Sequence, residues 1–177
     1  MYNQAQREIE RYGEVEVYMG KAQYDPDIHH RHSSRLSNCD YASQKTYFVT
    51  ICTQGCLPYF EQPALRSILE ETWHSLPERF AGLILDEYVV MPDHVHFILW
   101  LSANVPERIT LGQVIGAYKS LTSVKWLKHI EMTGLNEQGK FWQRNYMERV
   151  IRNKDELTRI REYIRNNPLR AALKKEL

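Results

Sequence analysis

The runs GLILDEYVVM and HVHFILWL, rich in β-branched and aromatic residues, meet at Met91, Pro92 and Asp93. A connection this short predicts an antiparallel hairpin, with turn residues between two strands. Successive strand residues alternate between faces, so His94 and His96 project from one face while Val95 and Phe97 enter the opposite layer. Two imidazoles are thereby aimed at one point, which is the geometry of metal chelation. A bare His-x-His is more often a solvated surface pair. Here the flanks Tyr88, Val89, Val90, Phe97, Ile98, Leu99 and Trp100 read as a central strand, where two imidazoles without partners are costly to bury.

The remaining pattern supplies the other elements. TYFVTIC, Thr46 to Cys52, reads as a first strand, and PALRSILEETWHSL as a helix from Pro63 ending before Pro77. A second helix carries Leu111, Val114, Ile115, Tyr118, Leu121 and Thr122 on one stripe, and KFWQRNYMERVI reads as a further strand with its approach. Asn153 and Glu156 make an N-cap and capping-box partner for a last helix that runs to the residues before Pro168. The order strand, helix, strand, strand, helix, strand predicts an α+β fold. It is a ferredoxin-like, RRM-like antiparallel sheet with helices on one face and an appended C-terminal helix, and such a sheet leaves its other face for function.

At 177 residues the chain suffices for one well-filled core, and its 43% hydrophobic, 25% charged composition is that of a folded soluble domain. No apolar run approaches the roughly 20 residues of a membrane helix, and MYNQAQREIERYGE is too polar for a signal peptide, so a cytoplasmic protein is expected. Residues 1–40 read as a flexible polar arm. Its HHRH stretch, His29 to His32, has metal-binding residue types, but an exposed arm is the simpler explanation. Cys39, Cys52 and Cys56 lack the paired spacing of a zinc module and read as reduced thiols.

Two histidines do not complete a metal site, and the C-terminal helix offers both a further ligand and a nucleophile. In REYIRNNP, Tyr163 and Asn167 stand four apart, on one helical face, although Pro168 biases Asn167 toward extended backbone. Tyr163 could equally pack in the core beside Leu157, Ile160 and Ile164, and Asn before Pro is an ordinary helix stop. Tyr146, in WQRNYMER, is a rival nucleophile in an equally basic setting.

Taken in order, YFVTICT, LDEYVVMPDHVHFIL, FWQRNYMERVIRN and ELTRIREYIRNNP resemble the consecutive motifs of the REP-associated tyrosine transposases, relatives of the single-strand insertion-sequence transposases of the HUH class. The resemblance spans about Arg35 to Pro168. It implies that residues 41–177 form a HUH single-tyrosine transposase domain, with His94 and His96 as metal ligands, Asn167 as a third, amide-bearing ligand, and Tyr163 on the C-terminal helix as the catalytic nucleophile. It also implies a divalent ion, Mg²⁺ or Mn²⁺, although imidazoles ordinarily favour zinc, nickel or copper. The implied substrate is single-stranded DNA with a short hairpin, cut to a 5′-phosphotyrosine and a free 3′-hydroxyl and then rejoined. Relatives act as monomers or as homodimers exchanging tyrosine helices.

The net charge of +1 conceals an asymmetry. Residues 1–140 hold 13 Lys and Arg against 17 Asp and Glu, whereas residues 141–177 hold 10 against 5. Arg144, Arg149, Arg152, Arg161 and Arg165 are therefore candidates for phosphate contacts, Trp142 and Tyr146 for stacking on unpaired bases, Arg31 and Arg35 on the arm for a guide or hairpin, and Lys119 as a weaker candidate. The competing expectation is a hairpin-binding regulatory module that does not cut. A third is a hydrolase using His-x-His differently; a histidine-triad enzyme would want another histidine at position 98, where this chain has Ile98.

Overall fold

The computed structural model describes residues 45–102 and 109–175, with side chains as far as Leu169. The predicted N-terminal arm, with Arg31, Arg35 and the HHRH stretch, lies outside the described residues. Four strands, β1 (Lys45–Cys52), β2 (Leu83–Val90), β3 (His94–Leu101) and β4 (Met147–Ile151), form one antiparallel sheet in the order β2-β3-β1-β4. With helices α1 (Pro63–Arg79), α2 (Leu111–Thr133) and α3 (Lys154–Lys175), this is the expected α+β fold, a ferredoxin-like sheet with one helix appended.

Period-2 alternation splits the sheet into two chemically distinct faces. Tyr47, Val49 and Ile51 of β1 and Val95, Phe97, Leu99 and Leu101 of β3 are fully or almost fully buried in a core with Leu65, Leu69, Trp73 and Leu76 of α1 and Leu111, Val114, Ile115, Tyr118 and Trp126 of α2. Each large side chain removed from water in this layer contributes on the order of 1.5–3 kcal/mol. The second face is not left open. It packs Ile98, Ile151, Phe48, Val89 and Trp100 against Leu157, Ile160, Tyr163 and Ile164 of α3, so the appended helix roofs the surface that carries the histidines.

Caps fix where the helices begin. Thr110 and Gln113 close a capping box at the start of α2, and Gly134, at φ 67°, ends that helix in the left-handed region. At α3, Asn153 Oδ1 accepts the Glu156 N–H at 2.8 Å, and the Glu156 carboxylate reaches back to the Arg152 N–H at 2.8 Å. Both proline stops fail. α1 runs through Pro77 to Arg79, because a proline in the last turn costs little ladder, and the buried Leu76 and the Phe80 N–H to Leu76 O bond hold that turn. α3 runs through Pro168 to Lys175, forgoing the one N–H that would reach the Ile164 carbonyl. No helix of the described residues is long and apolar enough to cross a membrane.

Candidate active site

The two histidines meet where β3 begins. His94 and His96 are 5% and 0% exposed, and their Nε2 atoms lie 3.1 Å apart. Each ring is held from behind. A carboxylate can only accept, so His94 Nδ1 donates to Asp93 Oδ1, 2.6 Å away, which leaves the lone pair of the neutral ring on Nε2. His96 Nδ1 lies 2.8 Å from the Thr50 hydroxyl, its neighbour across the β1–β3 pair. Burial, and then the neighbouring His94, hold the His96 imidazole well below its ordinary range, so it is neutral at physiological pH, as a metal ligand must be.

The C-terminal helix brings Tyr163 onto this pair. Its hydroxyl is 3.3 Å from His96 Nε2, and its ring stands edge-on to Phe48, which also packs against the His96 ring at 5.4 Å. Asn167, one turn further along, is 3% exposed, and its Nδ2 finds no hydrogen-bond partner. Continuation of α3 through Pro168 keeps both residues on one face, as their spacing requires. The rival Tyr146 is half-buried against the main core on the opposite side of the sheet, so it is Tyr163 that the fold sets beside the histidines.

The expected nucleic-acid residues divide into distinct settings. Arg144 and Arg152 are exposed. Arg149 pairs with Glu156 at 2.5 Å, Arg161 forks onto Asp86, and Arg165 pairs with Glu87, so these three already have carboxylate partners. Trp142 is 7% exposed in the main core, its Nε1 donating to Thr122 Oγ1 at 2.9 Å, so its ring offers no face to a base; an aromatic beside an arginine looked like a stacking platform, but here it packs. Lys119 Nζ donates to the carbonyls of Gln143, Arg144 and Asn145 at 2.6, 3.1 and 3.3 Å, and burial pushes its ammonium down to about 8. It anchors the loop before β4.

Thr50, Asp93 and Phe48 escaped the sequence reading. Asp93 could have been suspected from its place beside His94, whereas Thr50 and Phe48 reach the site only through the pairing of β1 with β3 and the docking of α3. Among the described residues no group of three or more His, Cys, Asp or Glu side chains is placed to hold a metal ion, so a site here would be two imidazoles completed by other donors.

Comparison with known proteins agrees with this fold. Residues 41–167 match the profile described as "Transposase IS200 like". An uncharacterized protein of Haemophilus influenzae is 30% identical over 172 residues, covering 82% of this chain and 92% of that one. A solved REP-associated tyrosine transposase bound to a REP hairpin is similar in fold, with TM-score 0.57 at 18% identity, covering 77% of this chain and 74% of that one. A Deinococcus radiodurans protein gives TM-score 0.45 at 19% identity over 75% and 97% of the two chains. With a profile match over most of its length, this chain belongs to the IS200-like transposase family.

Proposed function

We propose that this protein cuts and rejoins single-stranded DNA beside a hairpin, with Tyr163 as nucleophile and a divalent ion held by His94, His96 and Asn167. One observation carries the reading: the Tyr163 hydroxyl lies 3.3 Å from His96 Nε2, among buried side chains that include His94. The residues fit an ion. The two Nε2 atoms lie 3.1 Å apart, within hydrogen-bond reach of each other; with the ring protons on both Nδ1 atoms their lone pairs face one point, where a cation could take them, and the buried Asn167 amide has an oxygen that could serve as a further ligand. When bound, magnesium or manganese supplies charge to the scissile phosphate.

The protein's own groups do the rest. Asp93 and Thr50 fix the ring orientations, and Phe48 holds the Tyr163 ring on edge. A phenol of ordinary pKa about 10 is a weak nucleophile until its oxyanion is favoured. Tyr163 Oη gives up its proton as it bonds to phosphorus, the bond to the 3′-oxygen breaks, and that oxygen takes up a proton. The product is a 5′-phosphotyrosine and a 3′-hydroxyl. The phosphodiester energy is retained, so a second strand's 3′-hydroxyl can reverse the step without ATP. A hairpin substrate is supported by the fold neighbour, whose structure was solved with a REP hairpin, and by the basic surplus of residues 141–177.

The test is incubation with labelled single-stranded hairpin oligonucleotides from the genomic neighbourhood, with manganese or with chelator, beside Tyr163→Phe. A denaturation-resistant protein–DNA adduct that needs metal and vanishes in the variant is expected. Tight hairpin binding without any adduct would replace this reading with a non-cutting DNA-binding module.

A further inference from the structure

The helix that carries Tyr163 is tied to one place on the sheet. Arg161 Nε and Nη2 fork onto Asp86 Oδ1 and Oδ2 at 2.9 and 2.6 Å, and Trp100 Nε1 donates to the same Oδ2 at 2.9 Å. Arg165 Nε donates to Glu87 Oε1 at 2.8 Å, with Nη2 on the same oxygen. The two arginines stand two residues before and two residues after Tyr163, so the ties bracket it.

These ties depend on an irregularity. Leu85 pairs with Leu99 and Tyr88 with Phe97, so β2 spends one more residue than β3 between the two pairings. In a regular strand Asp86 and Glu87 would point to opposite faces. The extra residue turns both toward α3. Asp86 is also not a loose surface ion: its side chain is 11% exposed, and although burial alone would raise its carboxyl, the bonds from Arg161 and Trp100 overcome this and leave it lowered. A bidentate, part-buried pair with a third donor holds a geometry that a single exposed ion pair does not.

We propose that Asp86, acting through Arg161, is the positioning residue that sets Tyr163 against His96, with Glu87 and Arg165 as a second tie. The inference rests on Tyr163 being the nucleophile. It gives the Asp86 to Glu87 bulge a task in the reaction, and it assigns Arg161 to the helix dock and not to substrate phosphates. A nucleophile displaced by about an ångström loses roughly 10- to 100-fold in rate, so a tie remote from phosphorus acts on the chemical step while substrate affinity stays as it is.

The experiment is a double-mutant cycle on the full chain with Asp86→Asn, Arg161→Gln and both together. It reads the single-turnover rate of adduct formation at saturating hairpin, the hairpin Kd, and amide hydrogen exchange of residues 154–167 without DNA. Expected are a roughly 10- to 100-fold slower adduct in either single variant, no further loss in the double, unchanged Kd, and faster exchange confined to α3. Unchanged exchange of α3 would overturn the proposal. So would a faster adduct, which would make the ties a latch, or an Arg161→Gln effect on Kd that Asp86→Asn does not share, which would put Arg161 on the DNA. If the native chain forms no adduct at all, the reading of Tyr163 fails, and the exchange data still decide whether Asp86 holds the helix.

Discussion

Thr50 and His96 are partners twice over: they face each other across the β1–β3 pair, and the Thr50 hydroxyl lies 2.8 Å from His96 Nδ1. The hydroxyl fixes the plane of a ring that is wholly buried. Thr50→Val keeps the shape and removes the bond, leaving a buried ring nitrogen unpaired. Manganese affinity, measured by calorimetry, is expected to fall roughly 10- to 100-fold, with a stability loss of about 1 kcal/mol. Thr50→Ser restores the hydroxyl and with it most of the affinity. Equal affinity in all three proteins would show that His96 needs no such support.

Asn167 predicts a trade of stability against ion binding. Its amide nitrogen is buried without a partner, so Asn167→Leu removes a standing penalty. The variant is expected to melt higher, with a gain on the order of 1 kcal/mol, and to bind manganese more weakly. Thermal melts with and without the ion check both halves. A variant that melts lower and binds as tightly would mean the amide serves the core.

Lys119 and Arg144 separate two ways of weakening DNA binding. Lys119 spends its ammonium on three carbonyls of residues 143–145, while Arg144 is exposed on that loop. Lys119→Met is expected to reduce hairpin affinity several-fold while leaving the slope of log K against log salt unchanged. Arg144→Gln is expected to lower that slope by about one phosphate's share, 0.7 to 0.9. A reduced slope for Lys119→Met would place its ammonium on the DNA backbone.

The buried phenols set an alkaline limit. Tyr88 and Tyr118 share a hydroxyl–hydroxyl bond of 2.8 Å, and burial raises both above the ordinary phenol range. Their neutral forms are therefore favoured by folding. That contribution is complete below pH 10, where unfolded tyrosine begins to ionise, and is lost as pH rises beyond it, by up to about 1.4 kcal/mol per pH unit for each phenol. Urea midpoints between pH 10 and 12 should fall steeply in the native chain and less so in the Tyr88→Phe/Tyr118→Phe double variant. Parallel curves would assign the alkaline loss to other groups.

How much of this was legible in the sequence depended on the range of each interaction. The hairpin, the shared face of His94 and His96, and the Asn153 cap are local, and alternation or spacing reveals them. Pro77 and Pro168 misled because local backbone preference was outweighed by the packing of Leu76 and Ile164. Trp142 misled because composition cannot tell a stacking platform from a core ring whose Nε1 finds Thr122. Thr50, Phe48 and the Asp86–Arg161 fork join segments 46 to 115 residues apart along the chain, from β1 and β2 to β3 and α3, and only the assembled sheet brings them together.

The bulge in β2 has a further consequence at the margin of the sheet. β2 is an edge among the described residues, and its sequence LILDEYVV would otherwise be an eight-residue apolar ribbon with backbone groups free to recruit a second chain. Two adjacent carboxylates and a broken register interrupt that ribbon at its middle. A newly made chain that has not yet closed α3 over the sheet therefore presents a kinked, charged border, and this disfavours the edge-to-edge stacking that leads to aggregates.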